Sequence, residues 1–433
     1  MKKLGNLNIT YKNEKVVIKM KFIEIGQIHP VVKRLMLVNF IRSIGQGMMV
    51  VELALYLDAL GWSTAAIGSV LAAGGLLGVV FAPFIGVYSD RLGRKPFVLI
   101  SELVTAGCAL VGVLTTNPIL LSIVITLSGF GKADVGSPSP CAPAEQAWLA
   151  SFVPTAERGR VYSLNNALSF FGMGAGAVLA GAASFLKTGV SPYHLLFCYI
   201  LVASLITASI ILTIQGGEAE NRQGNKKEGR RNEEKKILHE ENAAVLKLAA
   251  INILNGIAIG LTGPMMSYWF SAKFGASHAQ IGSTLAVTFF ATGVTSILQA
   301  RLSHKHGTIR SIVFIRFIGS LLLILMPLLS SYALVSAIYM LRTALNRGTQ
   351  GAQQALSVSL TRNQRSGFAS SINLFSMRLP TSIGPYITGY LFGLGSLSLP
   401  FYIASCLQLS FAYLYGRLFS SYDIRMKSHA SSG

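Results

Sequence analysis

Ten charged side chains lie inside stretches that are otherwise apolar: Arg42, Glu52, Glu102, Lys132, Asp134, Glu145, Arg316, Arg342, Arg347 and Arg378. In hydrocarbon each costs about 2.5–3.5 kcal/mol or more unless it faces a cavity or a partner. Two kinds of chemistry suit such groups. A carboxylate can take up and release a proton as a cation moves towards or away from it, and a fixed cation can hold a charged ligand. Glu102 and Arg316 lie about five residues, roughly 8 Å of helix, from the end of an apolar stretch, so both are expected to snorkel to the interface. Glu145, in the last turns of its stretch, is expected to do the same. Of the seven that remain, Arg42, Glu52, Lys132, Asp134, Arg342 and Arg378 are the candidates for a substrate or proton site. Asp134 is the first choice of proton carrier, with Arg42 and Arg342 as its cationic partners and Glu52 as a second acid.

The elements that would position these groups are membrane spans. The chain has 433 residues, of which only 12% are charged and 52% hydrophobic, and its apolar stretches recur along almost the whole length. Twelve stretches have the length of a transmembrane helix: 35–60, 66–88, 97–116, 119–151, 161–186, 194–214, 244–270, 279–300, 311–330, 332–360, 367–394 and 399–420. The fold class expected is therefore all-α, with twelve transmembrane helices. The net charge of +20 gives little support to nucleic-acid binding, because most of the 37 Lys and Arg fall between spans on one side. Lys187 and Lys273 fall on the other. By the positive-inside rule the basic side is cytoplasmic, with both termini there.

Segments 1–34 and 421–433 read as cytoplasmic tails, and 215–243 as a flexible, charged cytoplasmic linker too poor in apolar residues to bury a core. The basic first 34 residues do not resemble a signal peptide. Cys108, Cys141, Cys198 and Cys406 form no CxxC pair, which argues against a zinc site or a disulfide framework. Neither a phosphate-binding loop nor a nucleophile–base spacing stands out, so no enzymatic activity and no cofactor are expected. Tyr56, Tyr268, Trp269 and Phe270, at the outer ends of spans 1 and 7, read as an interfacial aromatic belt.

The two halves of the chain are related. Residues 61–72 match 275–286 at eight of twelve positions, an offset of 214. Further along, an offset of 208 pairs Asn165 with Asn373, Gly176 with Gly384, Gly181 with Gly389, and Asp134 with Arg342. This ordered run of polar and glycine matches implies two parallel six-helix repeats, 35–214 and 244–420. Span 4 is the irregular one. Its run from Gly129 to Pro143, rich in Gly and Pro, is unsuited to a straight helix and suits backbone that lines a cavity or is buried in protein.

Between spans 2 and 3 lies Gly86-Val-Tyr-Ser-Asp90-Arg91-Leu-Gly93-Arg94-Lys95-Pro. The pattern Gly-x-x-x-Asp-Arg-x-Gly-Arg-Lys resembles the loop between helices 2 and 3 of the major facilitator superfamily of secondary transporters. Tyr88, where the family more often has Leu, is a departure. The resemblance covers residues 35–420 and implies alternating access between two six-helix bundles. It also implies a central cavity lined by spans 1, 4, 7 and 10, and a gate in which Asp90 meets the N-terminus of span 11. The run Gly172-x-x-x-Gly176-Ala-x-x-Ala-Gly181 is similar to the antiporter motif of the drug-exporting branches, although its proline and one glycine are replaced by alanine; span 11 keeps the pair Gly384-Pro385. Packing alone also accounts for these glycines. Those branches carry an arginine in span 4, four residues before a glycine. Here Ile125 stands at that distance from Gly129, which moves proton coupling to Arg42 or Lys132.

The resemblance thus implies a monomeric, proton-coupled exporter of a small amphipathic molecule in the plasma membrane. Its partners would be the substrate, protons and the bilayer, without nucleic acid. Uptake of a sugar or other metabolite stays open on Gln46, Asn252, Asn255 and Asn346, and so, more remotely, does a non-transporting receptor on the same scaffold.

Overall fold

A computed structural model describes residues 29–129, 141–153, 158–183, 191–214, 231–306, 308–349, 353 and 366–431. The first half holds α1 (Pro30–Ala59), α2 (Thr64–Leu92), α3 (Arg94–Leu114), α4 (Pro118–Ser128), α5 (Ala142–Ser151), α6 (Arg158–Ala183) and α7 (Ser191–Leu212). The second holds α8 (Arg231–Thr262), α9 (Met266–Phe274), α10 (His278–His306), α11 (Thr308–Leu325), α12 (Tyr332–Gly348), α13 (Ser366–Gly393) and α14 (Leu399–Ser431). Among the described residues, spans 4 and 7 each hold two helices. Among the described residues, seven helices are long and apolar enough to cross a bilayer on composition alone.

Local chemistry sets several ends. Asn117 accepts hydrogen bonds from the Ile119 and Leu120 amides, with Pro118 in the first turn of α4, a strong start signal. In span 7, Pro264 lacks the amide that a continuing helix needs, so α8 stops at Thr262 and α9 restarts at Met266. The sequence reading, which has span 7 unbroken, is corrected here. The described parts of span 4 are α4 and α5, with Gly129 as the left-handed cap of α4.

Boundaries differ from expectation where helices run past the hydrocarbon. The charged loop between spans 2 and 3 shrinks to one residue, Gly93, whose φ of 97° turns α2 directly into α3. The stretch expected as a flexible linker is helical from Arg231, helped by its many Glu and Lys.

The repeats pack as repeats. Within the first bundle α1 crosses α6, and within the second α8 crosses α13. A Cβ on Gly176 would fall 1.9 Å from the Ile44 carbonyl oxygen, and one on Gly384 would fall 2.1 Å from the Gly260 carbonyl carbon. Between bundles, α2 crosses α13 and α6 crosses α10. Gly68 there meets Gly389 and the carbonyl of Pro385, while Gly282 meets Gly181. The glycines of α6 use two faces: Gly172 and Gly176 face α1, and Gly174 and Gly181 face α10.

The start of α1 and the end of α14 mark one end of the molecule, here the terminal end; the opposite one is the distal end. At the distal end a single apolar core runs through both bundles, from Met48–Leu57 of α1 to Trp269, Phe289 and Phe401. At the terminal end, among the described residues, the bundles keep separate cores: one around Leu35, Val98 and Trp148, the other around Ile251, Ile312 and Phe411. The bundles are thus sealed together distally.

Candidate functional site

Arg42 is the centre of the first bundle. Its Nη1 donates to Glu145 Oε2 at 2.9 Å, and its Nη2 and Nε lie 2.8 Å from Glu145 Oε1 and 2.9 Å from Glu102 Oε1, ion pairs of poorer hydrogen-bond angle. Glu102 Oε2 accepts a further bond from the Thr207 hydroxyl at 2.7 Å. Glu102 is only 3% exposed. The snorkelling expected of Glu102 and Glu145 is therefore wrong. Because α3 starts at Arg94, Glu102 stands about 12 Å along it, too deep to reach the interface. One guanidinium thus faces two carboxylates, a net negative cluster that a proton can neutralise. Arg42 and Glu145 line a cavity whose other walls include Asn39, Gln46, Asn165 and Asn166. Below the cluster, Asn39 Nδ2 donates to Asn165 Oδ1 at 3.0 Å.

The second bundle repeats this scaffold with other side chains. Asn252 donates to Asn373 as Asn39 does to Asn165. Gly260 packs against Thr381 as Gly47 does against Met173. In span 7 the repeat offset is therefore 213, which places Asn255 where Arg42 stands. Arg316 takes the place of Glu102, donates to Asn255 Oδ1 at 3.1 Å and lies 5.6 Å from the Phe411 ring. At 2% exposure, Arg316 does not snorkel either. Arg342, on α12, is buried and donates to Gln408 Oε1 at 3.3 Å. A second cavity is lined by Arg316, Arg342 and Arg347 with Tyr339, Asn346 and Gln408.

The other candidates scatter. Lys132 and Asp134 lie outside the described residues. Arg378 is half-buried on α13 and lines neither cavity. Glu52 is buried at the distal end, where its Oε2 lies 2.6 Å from His278 Nδ1 of the other bundle. Nearby, Ser267 donates to the Val50 carbonyl at 3.2 Å, a second tie between bundles. Of the charged loop, Gly86 and Asp90 close α2, Arg91 is exposed, and the two following cations serve helix C-termini, whose carbonyls favour positive charge. Arg94 donates to the Ala147 carbonyl at 2.9 Å, and Lys95 to those of Leu212 at 3.0 Å and Ile214 at 2.9 Å.

The aromatic belt is also a correction. Tyr56, Trp269 and Phe270 are buried, with Trp269 4.3 Å from Phe401 and donating to the Leu397 carbonyl at 2.9 Å. The break at Pro264 redirects α9 and packs its aromatics in the distal core.

Comparison with known proteins agrees with this architecture. The family model of the Major Facilitator Superfamily matches residues 35–246 and 248–427. Multidrug resistance protein 2 of Bacillus subtilis (strain 168) is 23% identical over 380 residues, 86% of this chain and 90% of that protein. The nucleoside transporter NupG superposes with a TM-score of 0.67 at 13% identity, over 90% of this chain and 99% of that one. The D-xylose-proton symporter gives 0.67 at 12%, over 89% and 97%. With two six-helix repeats, glycine-mediated crossings between them and a family match over nearly the whole length, the chain belongs to the Major Facilitator Superfamily: it is a transporter, not an enzyme.

Proposed function

We propose that this transporter exports a small amphipathic molecule across the cell membrane in exchange for protons, with both chain termini cytoplasmic. The observation that carries the proposal is the Arg42 cluster, where two carboxylates share one guanidinium beside a cavity. Glu145, which lines that cavity, takes the proton when Arg42 is drawn away and gives it up when the pair re-forms. Asp134 is a further acid on the same route, and Asp90 holds the cytoplasmic gate. The relation to a multidrug resistance protein supports export and an amphipathic cargo. The test is dye efflux from liposomes under an imposed pH gradient. Glu145→Gln should abolish gradient-driven flux while leaving passive exchange, and full coupling in both Glu145→Gln and Asp134→Asn would sink the mechanism.

One observation favours a second reading, uptake of a polar metabolite. The first cavity is walled by amides, with Asn39, Gln46, Gln146, Asn165 and Asn166 around it. Accumulation of nucleosides or pentoses against their gradient, with no efflux of dyes, would favour that reading.

A further inference from the structure

Between Glu241 and Asp423 the chain contains no Asp or Glu at all. Every carboxylate that could neutralise a cation inside the second bundle must therefore come from elsewhere. Three of the first bundle's carboxylates are paired elsewhere, Glu102 and Glu145 with Arg42 and Glu52 with His278, and Asp134 lies outside the described residues. Arg342 meanwhile is 7% exposed and, among the described residues, reaches only the neutral amide of Gln408 and leaves its Nε with no hydrogen-bond partner. Around it Thr343 Oγ1 and both side-chain atoms of Asn346, each residue 6% exposed, are likewise unsatisfied. Buried polar atoms are rarely left so, because each costs about 1–3 kcal/mol. Here they gather on one wall of the second bundle's cavity, with Arg316 and Arg347 adding positive charge.

The geometry points to a site for an oxyanion: the cavity of the second bundle takes the carboxylate, phosphate or sulfonate head of an amphipathic substrate. Arg342 pairs with the anion through Nε and its free guanidinium face, while Asn346 and Thr343 donate to its remaining oxygens. Tyr339, Ile259 and Thr262, which also line the cavity, receive the less polar body. Planar guanidinium is the side chain best matched to such heads. This deepens the export proposal by naming the cargo's charge, and rests on it only in taking the cavity as a substrate site.

Equilibrium binding to purified protein in nanodiscs, without any gradient, tests the assignment. The probes are decanoate, decyl phosphate and 8-anilinonaphthalene-1-sulfonate, with decanamide and N-phenyl-1-naphthylamine as neutral counterparts. At least one anion should bind saturably and more tightly than its neutral counterpart. Arg342→Gln should weaken that binding about tenfold or more, and Arg342→Lys less, with affinity for the neutral compounds unchanged. No saturable anion binding, or equal affinity in Arg342→Gln, overturns the assignment. So does a loss of thermal stability in Arg342→Gln that Asp134→Asn restores, which would make that acid the natural partner. A protein that binds the anions selectively but moves no protons loses the export mechanism and keeps this one.

Discussion

The two bundles share a backbone plan but carry opposite charge on it. Arg42, Glu102, Glu145 and Asp134 of the first half correspond to Asn255, Arg316, Gln353 and Arg342 of the second. Summed over those positions, the first half is negative and the second positive. Glycine crossings and asparagine pairs are kept in both, because they hold helices at a required distance. The charges are not kept, and on the mechanism proposed above the two cavity walls divide the work: that of the first bundle handles a proton and that of the second an anion. A transporter built from a duplicated bundle can divide its work this way without altering how its helices pack.

The largest expected effect separates the walls by stability. Arg42→Gln strands the buried Glu102 and the partly buried Glu145 and should destabilise the protein by about 3–5 kcal/mol, whereas Arg342→Gln, which strands none within its own bundle, should stay within about 1 kcal/mol of wild type. Thermal unfolding of both variants at neutral pH reads the contrast, and equal losses would erase it. Next come the shared crossings. Gly176→Ala and Gly384→Ala should each cost about 1–3 kcal/mol, since each new methyl meets backbone, while Gly107→Ala, with open space around it, should cost nothing measurable. A large difference between the first two would mean that the repeats do not pack alike.

Smaller again, Asn39→Ala and Asn252→Ala should lose about 1 kcal/mol each, as expected for one hydrogen bond, and unequal losses would break the pseudo-symmetry at that level. The smallest effect lies at the distal seal. The hydrogen bond from His278 to Glu52, together with that carboxylate's charge, raises the His278 pKa above its ordinary value, against burial, which lowers it. The other group facing this ring is Tyr193. Because the folded value is raised, the pair's full contribution is present below about pH 6.5 and fades as pH rises through the raised value. With the imidazole 38% exposed, water screens the pair, and the effect should stay below about 1 kcal/mol. The Tm of wild type should fall more between pH 6 and 9 than that of His278→Gln, and parallel curves would remove the ion pair from the seal.

Much of the fold is legible in the order of the residues. Long apolar stretches can cross a membrane only as helices, and the match of 61–72 with 275–286 marks a duplication whose glycines then meet at both bundle crossings. The functional groups are legible as a set of buried charges but not as pairs. Sequence spacing matches Arg42 with Asp134, yet its described partners are Glu102 and Glu145. Glu102 looks like a surface group only if α3 is started at the first apolar residue, several positions too late. The signal for the second cavity is also present: a stretch of chain from Glu241 to Asp423 without one acid. Pro264 marks the break in span 7, and with it the inward turn of Trp269.

What the sequence determined by itself was the solvent each segment requires, the number of spans, the duplication and the family. Those follow from hydropathy and local spacing, which act along the chain. Only the tertiary structure decided which charge neutralises which, because a side chain deep in a span is paired by helices far away along the chain. Rotation and depth set those pairings, and a small error in where a helix starts is enough to turn a buried partner into an apparent surface group.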